Sequence, residues 1–277
     1  MNVHILMFIK VALLLTVSFV LGSCNNDPGV TERNYELVWE DNFDGAEGTS
    51  PDATKWTYDI GRGQNGWGNA ELQYYTDNPE NVSMDGEGNL AIVSREESIG
   101  GASYTSGRIK TEGLFTQGYG RFEARIKMPS GQGLWPAFWM LGSNISTVSW
   151  PQCGEIDIME YRGQEPTIIH GSIHGPGYSA GNAVTRSYTL TNSRYDTEFH
   201  IFSVEWGEDY IDFFMDGNLY QQITPENANG EWVYNDSPFF LILNTAVGGN
   251  YVGSPSANTT FPQTLLVDYV KVYKEVQ

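Results

Sequence analysis

Between Arg121 and Met128 the residues alternate strictly between charged and apolar (Arg-Phe-Glu-Ala-Arg-Ile-Lys-Met). Only an extended strand, whose successive side chains point to opposite faces, sorts such a segment into one wet and one dry surface. The same reading applies to His200–Trp206 and Tyr210–Met215, with Asp216-Gly217 supplying the next turn, and to Leu90–Arg95 and Leu265–Tyr273. Helical periodicity is scarce. The 31 glycines and 12 prolines break the chain at short intervals, and no βαβ spacing appears. These features give an all-β sandwich or barrel.

One strand is chemically unusual. Gly154-Glu155-Ile156-Asp157-Ile158-Met159-Glu160 places three carboxylates among apolar residues, with no Lys or Arg between them. Strict alternation puts Glu155 and Asp157 on one face but sends Glu160 to the other. A one-residue β-bulge at Ile158-Met159 returns Glu160 to the face of Glu155 and Asp157. Two carboxylates two pleats apart then sit roughly 5–6 Å from each other, the separation that a retaining glycosidase needs. Such an enzyme uses one ionised carboxylate as nucleophile and one protonated carboxyl as acid. Crowding like charges raises at least one pKa and favours that division. The bland alternative is a half-buried strand with a polar outer face, but such faces usually mix charges because like charges repel.

The N-terminus reads as an export signal over 1–23. Lys10 precedes the apolar Val11–Leu15, and the apolar run ends at Gly22-Ser23. Leu21-Gly22-Ser23-Cys24 resembles a bacterial lipobox, which places a lipid anchor at Cys24 and makes the chain an exported cell-envelope lipoprotein, at the outer membrane or cell surface, or otherwise a secreted protein. Polar residues 24–34 form a tether, and 35–277 a single catalytic domain and monomer. Of the two cysteines, a lipid-modified Cys24 leaves no disulfide for Cys153, which reads as a packed small hydrophobe. The formal net charge is −19; residues 1–23 carry Lys10 and no acid, so removing them makes the chain more acidic. That field repels nucleic acid and anionic lipid, and leaves the membrane only through the anchor. A neutral partner suits it, and eight Trp and sixteen Tyr supply platforms for the apolar faces of sugars.

The stretch Trp150-Pro-Gln-Cys-Gly-Glu155-Ile-Asp157-Ile-Met-Glu160-Tyr-Arg resembles the signature of family sixteen glycoside hydrolases, in the laminarinase-like branch with an extra Met. Trp67–Tyr75, Ser106–Thr111, Gly133–Gly142 and Leu243–Gly249 resemble further blocks of that family. The resemblance implies a β-jelly-roll of two antiparallel sheets with a concave substrate cleft and no catalytic cofactor. It implies Glu155 as nucleophile, Asp157 as its assistant and Glu160 as general acid/base. Asn69, Arg108, Trp135, Trp139, Trp150 and His174 match sugar-contacting positions. Each has a plainer reading, core packing for the tryptophans and a braced turn for Asn69 and Arg108 as loop residues. Trp135 and Trp139 share a strand face with Ala137 between them, which leaves room for a ligand.

His170 and His174 also share a face, but no third ligand of suitable spacing completes a zinc site. Asp85–Asn89 lacks the glycine of a calcium-binding EF-hand and reads as a hairpin turn. The resemblance implies a structural calcium held by backbone oxygens of Asn42 and Gly88 and by the Asp268 carboxylate, with a simple hydrogen-bonded Asp268 as the alternative. The function expected is endo-hydrolysis of a neutral β-1,3-glucan such as laminarin. The competing expectations are mixed-linkage β-1,3-1,4-glucan or another β-glycan with the same mechanism, or a noncatalytic glucan-binding module.

Overall fold

The alternating segments are strands, and they assemble into two stacked sheets. A computed structural model of the chain describes residues 33–277. The expected export signal, Cys24 and nearly all of the tether lie outside the described residues. Among the described residues no helix is long and apolar enough to cross a membrane.

The first sheet runs in the order Asn218–Ile223, Tyr210–Met215, His200–Gly207, Gly120–Lys127, Gln263–Val276, Leu90–Ile99, Ala102–Ser106 and Gln73–Tyr75. Asn34–Asp41 pairs alongside Gln263–Val276, and Val82–Met84 alongside Leu90–Ile99. The second sheet runs Val184–Thr189, Ile168–His174, Glu155–Tyr161, Leu134–Gly142, Phe239–Val247, Arg108–Lys110 and Thr57–Tyr58. Pairing is antiparallel except between Gln73–Tyr75 and Tyr104–Ser106, which run parallel. This is the jelly-roll sandwich that the sequence resemblance implies.

The apolar half of each alternation meets between the sheets. Phe122, Ala124 and Ile126 come from one side, Phe138, Met140, Ile156 and Ile158 from the other, all essentially without exposure. Truncating one such side chain, Phe138→Ala, removes a fully buried ring and costs about 3–5 kcal/mol. The other faces of the second sheet's central strands are left for function. A smaller apolar group of Leu141, Cys153, Phe240 and Ile242 covers part of that outer face, so Cys153 is indeed a packed hydrophobe. The Asp85–Asn89 segment is a hairpin turn: Asp85 Oδ1 accepts the backbone N–H groups of Glu87 and Asn89 at 2.8 and 3.0 Å.

Candidate active site

The acidic strand carries the expected bulge. Against its neighbour, Asp157 pairs with Trp139 while Met159, not Ile158, pairs with Phe138. Ile158 and Met159 therefore both enter the core, at 1% and 0% exposure. Glu160 is returned to the outer face, opposite Ala137 on one side and His170 on the other. Alternation on the neighbouring strand places Trp135, Ala137 and Trp139 beside the acids.

Each glutamate has one oxygen held by an indole. Trp150 Nε1–H donates to Glu155 Oε2 at 2.8 Å, and Trp135 Nε1–H donates to Glu160 Oε1 at 3.0 Å. His174 stands directly across from Glu155 in the next strand. Its Nε2 lies 3.0 Å from Asp157 Oδ2 and 3.8 Å from Glu155 Oε1. The strand pair is clamped from below by Tyr234, whose buried hydroxyl donates to the His174 carbonyl at 2.9 Å.

Burial dominates the electrostatics. It pushes the Glu155 carboxyl up to about 8, with the Asp157 charge adding to the rise and the Trp150 N–H opposing it. Burial pushes Glu160 up to about 7, opposed by His174 and by the Trp135 N–H. Asp157 is raised by the same burial and by Glu160. The three titrate as one unit, whose protons belong to the cluster. The indole N–H groups of Trp150 and Trp135 each favour the ionised form of the glutamate they hold, against the burial that favours the protonated form.

The remaining sequence-predicted residues lie along the same face. The Arg108 guanidinium sits between the Trp67 and Trp139 rings, 4.6 and 4.8 Å from their centroids, and its Nε is 2.8 Å from Asp59 Oδ2. Arg108 is thus on the short strand Arg108–Lys110 and not in a loop as expected, because three residues are too few to show alternation. Asn69 Nδ2 reaches Glu71 Oε1 at 3.5 Å. Asn69 belongs to a segment in which Asn65, Trp67 and Ala70 all adopt left-handed backbone, at φ 52, 54 and 56. Each such non-glycine residue costs roughly 1–2 kcal/mol, and the packing of Trp67 against Arg108 and Tyr75 offsets it. A cavity of about 540 Å³ opens beside this loop, with Arg62, Asn65, Glu71 and Leu72 in its wall.

Several site residues were not singled out from sequence. Asn244 accepts the Trp139 indole N–H at 2.7 Å and donates to Tyr75 Oη at 3.1 Å. Buried Glu71, its carboxyl raised by desolvation, accepts from Gln73 at 2.6 Å and closes this polar ladder. Tyr251 packs on Trp135 at 4.8 Å and under the Arg162 guanidinium at 4.0 Å. Asn244 and Glu71 lie inside recognised sequence blocks, which marked the segments but not the residues. Tyr251 gave no local signal.

Of the expected calcium ligands, Asn42 follows the residue that pairs with Val270, Gly88 lies two before the one that pairs with Val267, and Asp268 stands between Val267 and Val270 on the shared strand. Their oxygens are the hard donors that calcium takes. Asp268, at a bulge between Val267 and Tyr269, also has its Oδ2 bound by the Arg125 guanidinium. That ion pair answers the charge of Asp268 in a strand whose neighbouring residues are largely apolar.

A two-sheet sandwich that presents two indole-held glutamates and a row of aromatic side chains on one outer face has the parts of a carbohydrate-cleaving enzyme. The chain belongs to the glycosyl hydrolases of family 16, whose family model matches residues 67–271. It is 39% identical over 277 residues to a beta-glucanase of Rhodothermus marinus, covering 97% of this chain and 95% of that one. Among solved structures, the laminarinase catalytic domain of Thermotoga maritima superposes with a TM-score of 0.83 at 44% identity, covering 88% of this chain and 100% of that one. The endo-beta-1,3-glucanase of Pyrococcus furiosus gives 0.83 at 46% identity, with 88% and 96% covered.

Proposed function

We propose that this chain is an endo-acting, retaining β-1,3-glucanase of the laminarin type, with Glu155 as nucleophile, Glu160 as general acid/base and Asp157 assisting Glu155. One observation carries the reading: the bulge sets two glutamates on one face, each with one oxygen held by an indole. Glu155 attacks the anomeric carbon through a carboxylate oxygen as the glycosidic C–O bond breaks, and Glu160 donates its proton to the departing oxygen. Glu160, now ionised, takes a proton from water, and the resulting hydroxide displaces Glu155 from the sugar. One water is consumed, and two inversions retain the β configuration.

Arg108, Asn69, Trp135, Trp139 and Trp150 line the path of the glucan, and the relatives named for β-1,3-glucan cleavage support that substrate. The chain's acidic charge favours a neutral polymer over sulfated galactans. Glu155→Gln and Glu160→Gln should each lose most activity, since acid/base assistance alone is worth roughly 10²–10⁴-fold. Early NMR spectra of the product should show the β-anomer. Near-normal hydrolysis by either variant, or an initial α-product, overturns the assignment. A panel of laminarin, mixed-linkage glucan and red-algal galactan reads the substrate, and faster release from either of the latter two corrects it.

Two further proposals concern the protein's setting. Asn42, Gly88 and Asp268 hold a structural calcium away from the acidic strand, with Asp268 shared between the ion and Arg125. The chain is exported and anchored through lipid on Cys24; metabolic labelling with a radiolabelled fatty acid should mark the native chain and not Cys24→Ser.

A further inference from the structure

We propose that His174 is a positioning residue confined to one tautomer by the backbone of Ala180, and that in this form it orients Asp157 for Glu155. The inference rests on the catalytic reading of Glu155 and Asp157 above, and differs from a sugar-contacting role for His174.

The Ala180 N–H donates to His174 Nδ1 at 3.1 Å. A ring nitrogen accepts only when it carries a lone pair, so the hydrogen of the neutral ring must sit on Nε2. That nitrogen faces Asp157 Oδ2 at 3.0 Å. Asp157 is 3% exposed, and its Oδ2 has no other hydrogen-bond donor among the described residues. A buried carboxylate oxygen left alone is costly, and the Nε2–H is the group that answers it. An oxygen of Asp157 lies within 4.8 Å of one of Glu155, on the same face of the strand. The Ala180 amide thus fixes the imidazole, and the imidazole fixes the Asp157 carboxylate that lies beside the nucleophile.

The segment that aims this amide is strained. Ala180 adopts φ 50, a left-handed conformation that a non-glycine residue takes only where its surroundings impose it. Hydrogen bonds on both sides of Ala180 supply those surroundings. Gly175 and Tyr178 exchange backbone hydrogen bonds of 3.0 and 3.1 Å, and Tyr178 Oη donates to the Glu231 carbonyl at 2.8 Å. Ala183 N–H closes on the Ala180 carbonyl at 3.1 Å. The same arrangement argues against a metal at Glu155, Asp157 and His174, which otherwise cluster closely enough to bind one. A metal would need the Nε2 lone pair, and the displaced hydrogen on Nδ1 would then confront the Ala180 N–H.

Two measurements on the mature protein test this. Two-bond ¹H–¹⁵N correlation spectra of histidine-labelled protein, with His174 assigned by its loss in His174→Gln, should show the Nε2–H pattern at neutral pH. An Nδ1–H pattern overturns the proposal. On a β-1,3-gluco-oligosaccharide, His174→Asn retains an acceptor for Ala180 but no donor that reaches Asp157. It should lower kcat about 10- to 100-fold, as loss of one charge-assisted hydrogen bond implies, with KM unchanged. His174→Gln carries an amide N–H near the Nε2 position and should recover most of that loss. A rise in KM at constant kcat in His174→Asn, or equal losses in the Asn and Gln variants, overturns the proposal. A wild type inactive on β-1,3-glucan would defeat the functional reading, while the tautomer spectrum would still decide this one.

Discussion

Replacing Trp150 by Phe keeps a large ring beside the acidic strand and deletes one N–H. That N–H is held 2.8 Å from Glu155 Oε2, where it favours the ionised nucleophile. A hydrogen bond to a charged group contributes about 1.5–3 kcal/mol. Trp150 is 42% exposed, so water partly replaces the lost donor and the lower end applies. One pKa unit corresponds to about 1.4 kcal/mol, so the nucleophile's pKa should rise by about one unit. A higher pKa leaves less carboxylate at low pH. The acidic limb of kcat/KM against pH should therefore move up by about one unit, while the plateau changes little. Trp135→Phe makes the complementary change. It removes the donor to Glu160 Oε1, raises the proton-donating group and moves the basic limb upward. The assay is the initial rate on a soluble β-1,3-gluco-oligosaccharide across the pH range, with each variant's melting checked at every pH. An acidic limb unmoved in Trp150→Phe, with KM raised equally at all pH values, would show a stacking platform only and refute the electrostatic argument.

The raised carboxyl of Glu155 makes a stability prediction of definite sign. Burial holds protons on the cluster that Glu155 forms with Asp157 and Glu160 above the ordinary 4.5 at which an unfolded glutamate releases its own, so the site costs stability as pH rises from there towards about 8. Glu155→Gln should melt above wild type at pH 8 and equally at pH 4, with roughly 2–4 °C for each kcal/mol relieved; a lower melting point at pH 8 would contradict the assignment. Calcium at about a hundred times its dissociation constant should add roughly 2.7 kcal/mol to wild-type stability, an increment that Asp268→Ala abolishes. Equal melting of wild type in calcium and in chelator would leave Asp268 as the partner of Arg125 alone. Trp139→Phe orphans the buried Asn244 Oδ1 and should cost about 1–3 kcal/mol in chemical denaturation, where no loss would show that water replaces the indole.

What the sequence disclosed was whatever depends on neighbours in the chain. Alternation marked Gly120–Lys127, and bringing Glu160 to the face of Asp157 took a bulge at Ile158-Met159. What it hid depends on distant partners. Asp268 meets Arg125 across 143 residues, and Trp139 meets Asn244 across 105. No local pattern reports such pairs. Arg108 looked like a loop residue because its strand is three residues long and held at Asn244 by a partner far along the chain. The left-handed run at Asn65, Trp67 and Ala70 was equally silent, since only the glycines among them carry a compositional signal.

The bulge in the acidic strand also makes chain length and side-chain parity separable at one point. Facing alternates along Glu155, Ile156 and Asp157, then Ile158 and Met159 both turn inward before Glu160 turns out. Omitting Met159 would leave Ile158 as the single inward residue, and the glutamate and Tyr161 would keep their present sides in a regular strand. Omitting Ile156 instead would make the first two acids immediate neighbours and set them on opposite faces. One residue can thus be gained or lost here without inverting what the strand presents to solvent, the change being confined to the volume of one methionine in the core. Elsewhere in the regular part of the strand, the same edit would scramble the order of its carboxylates.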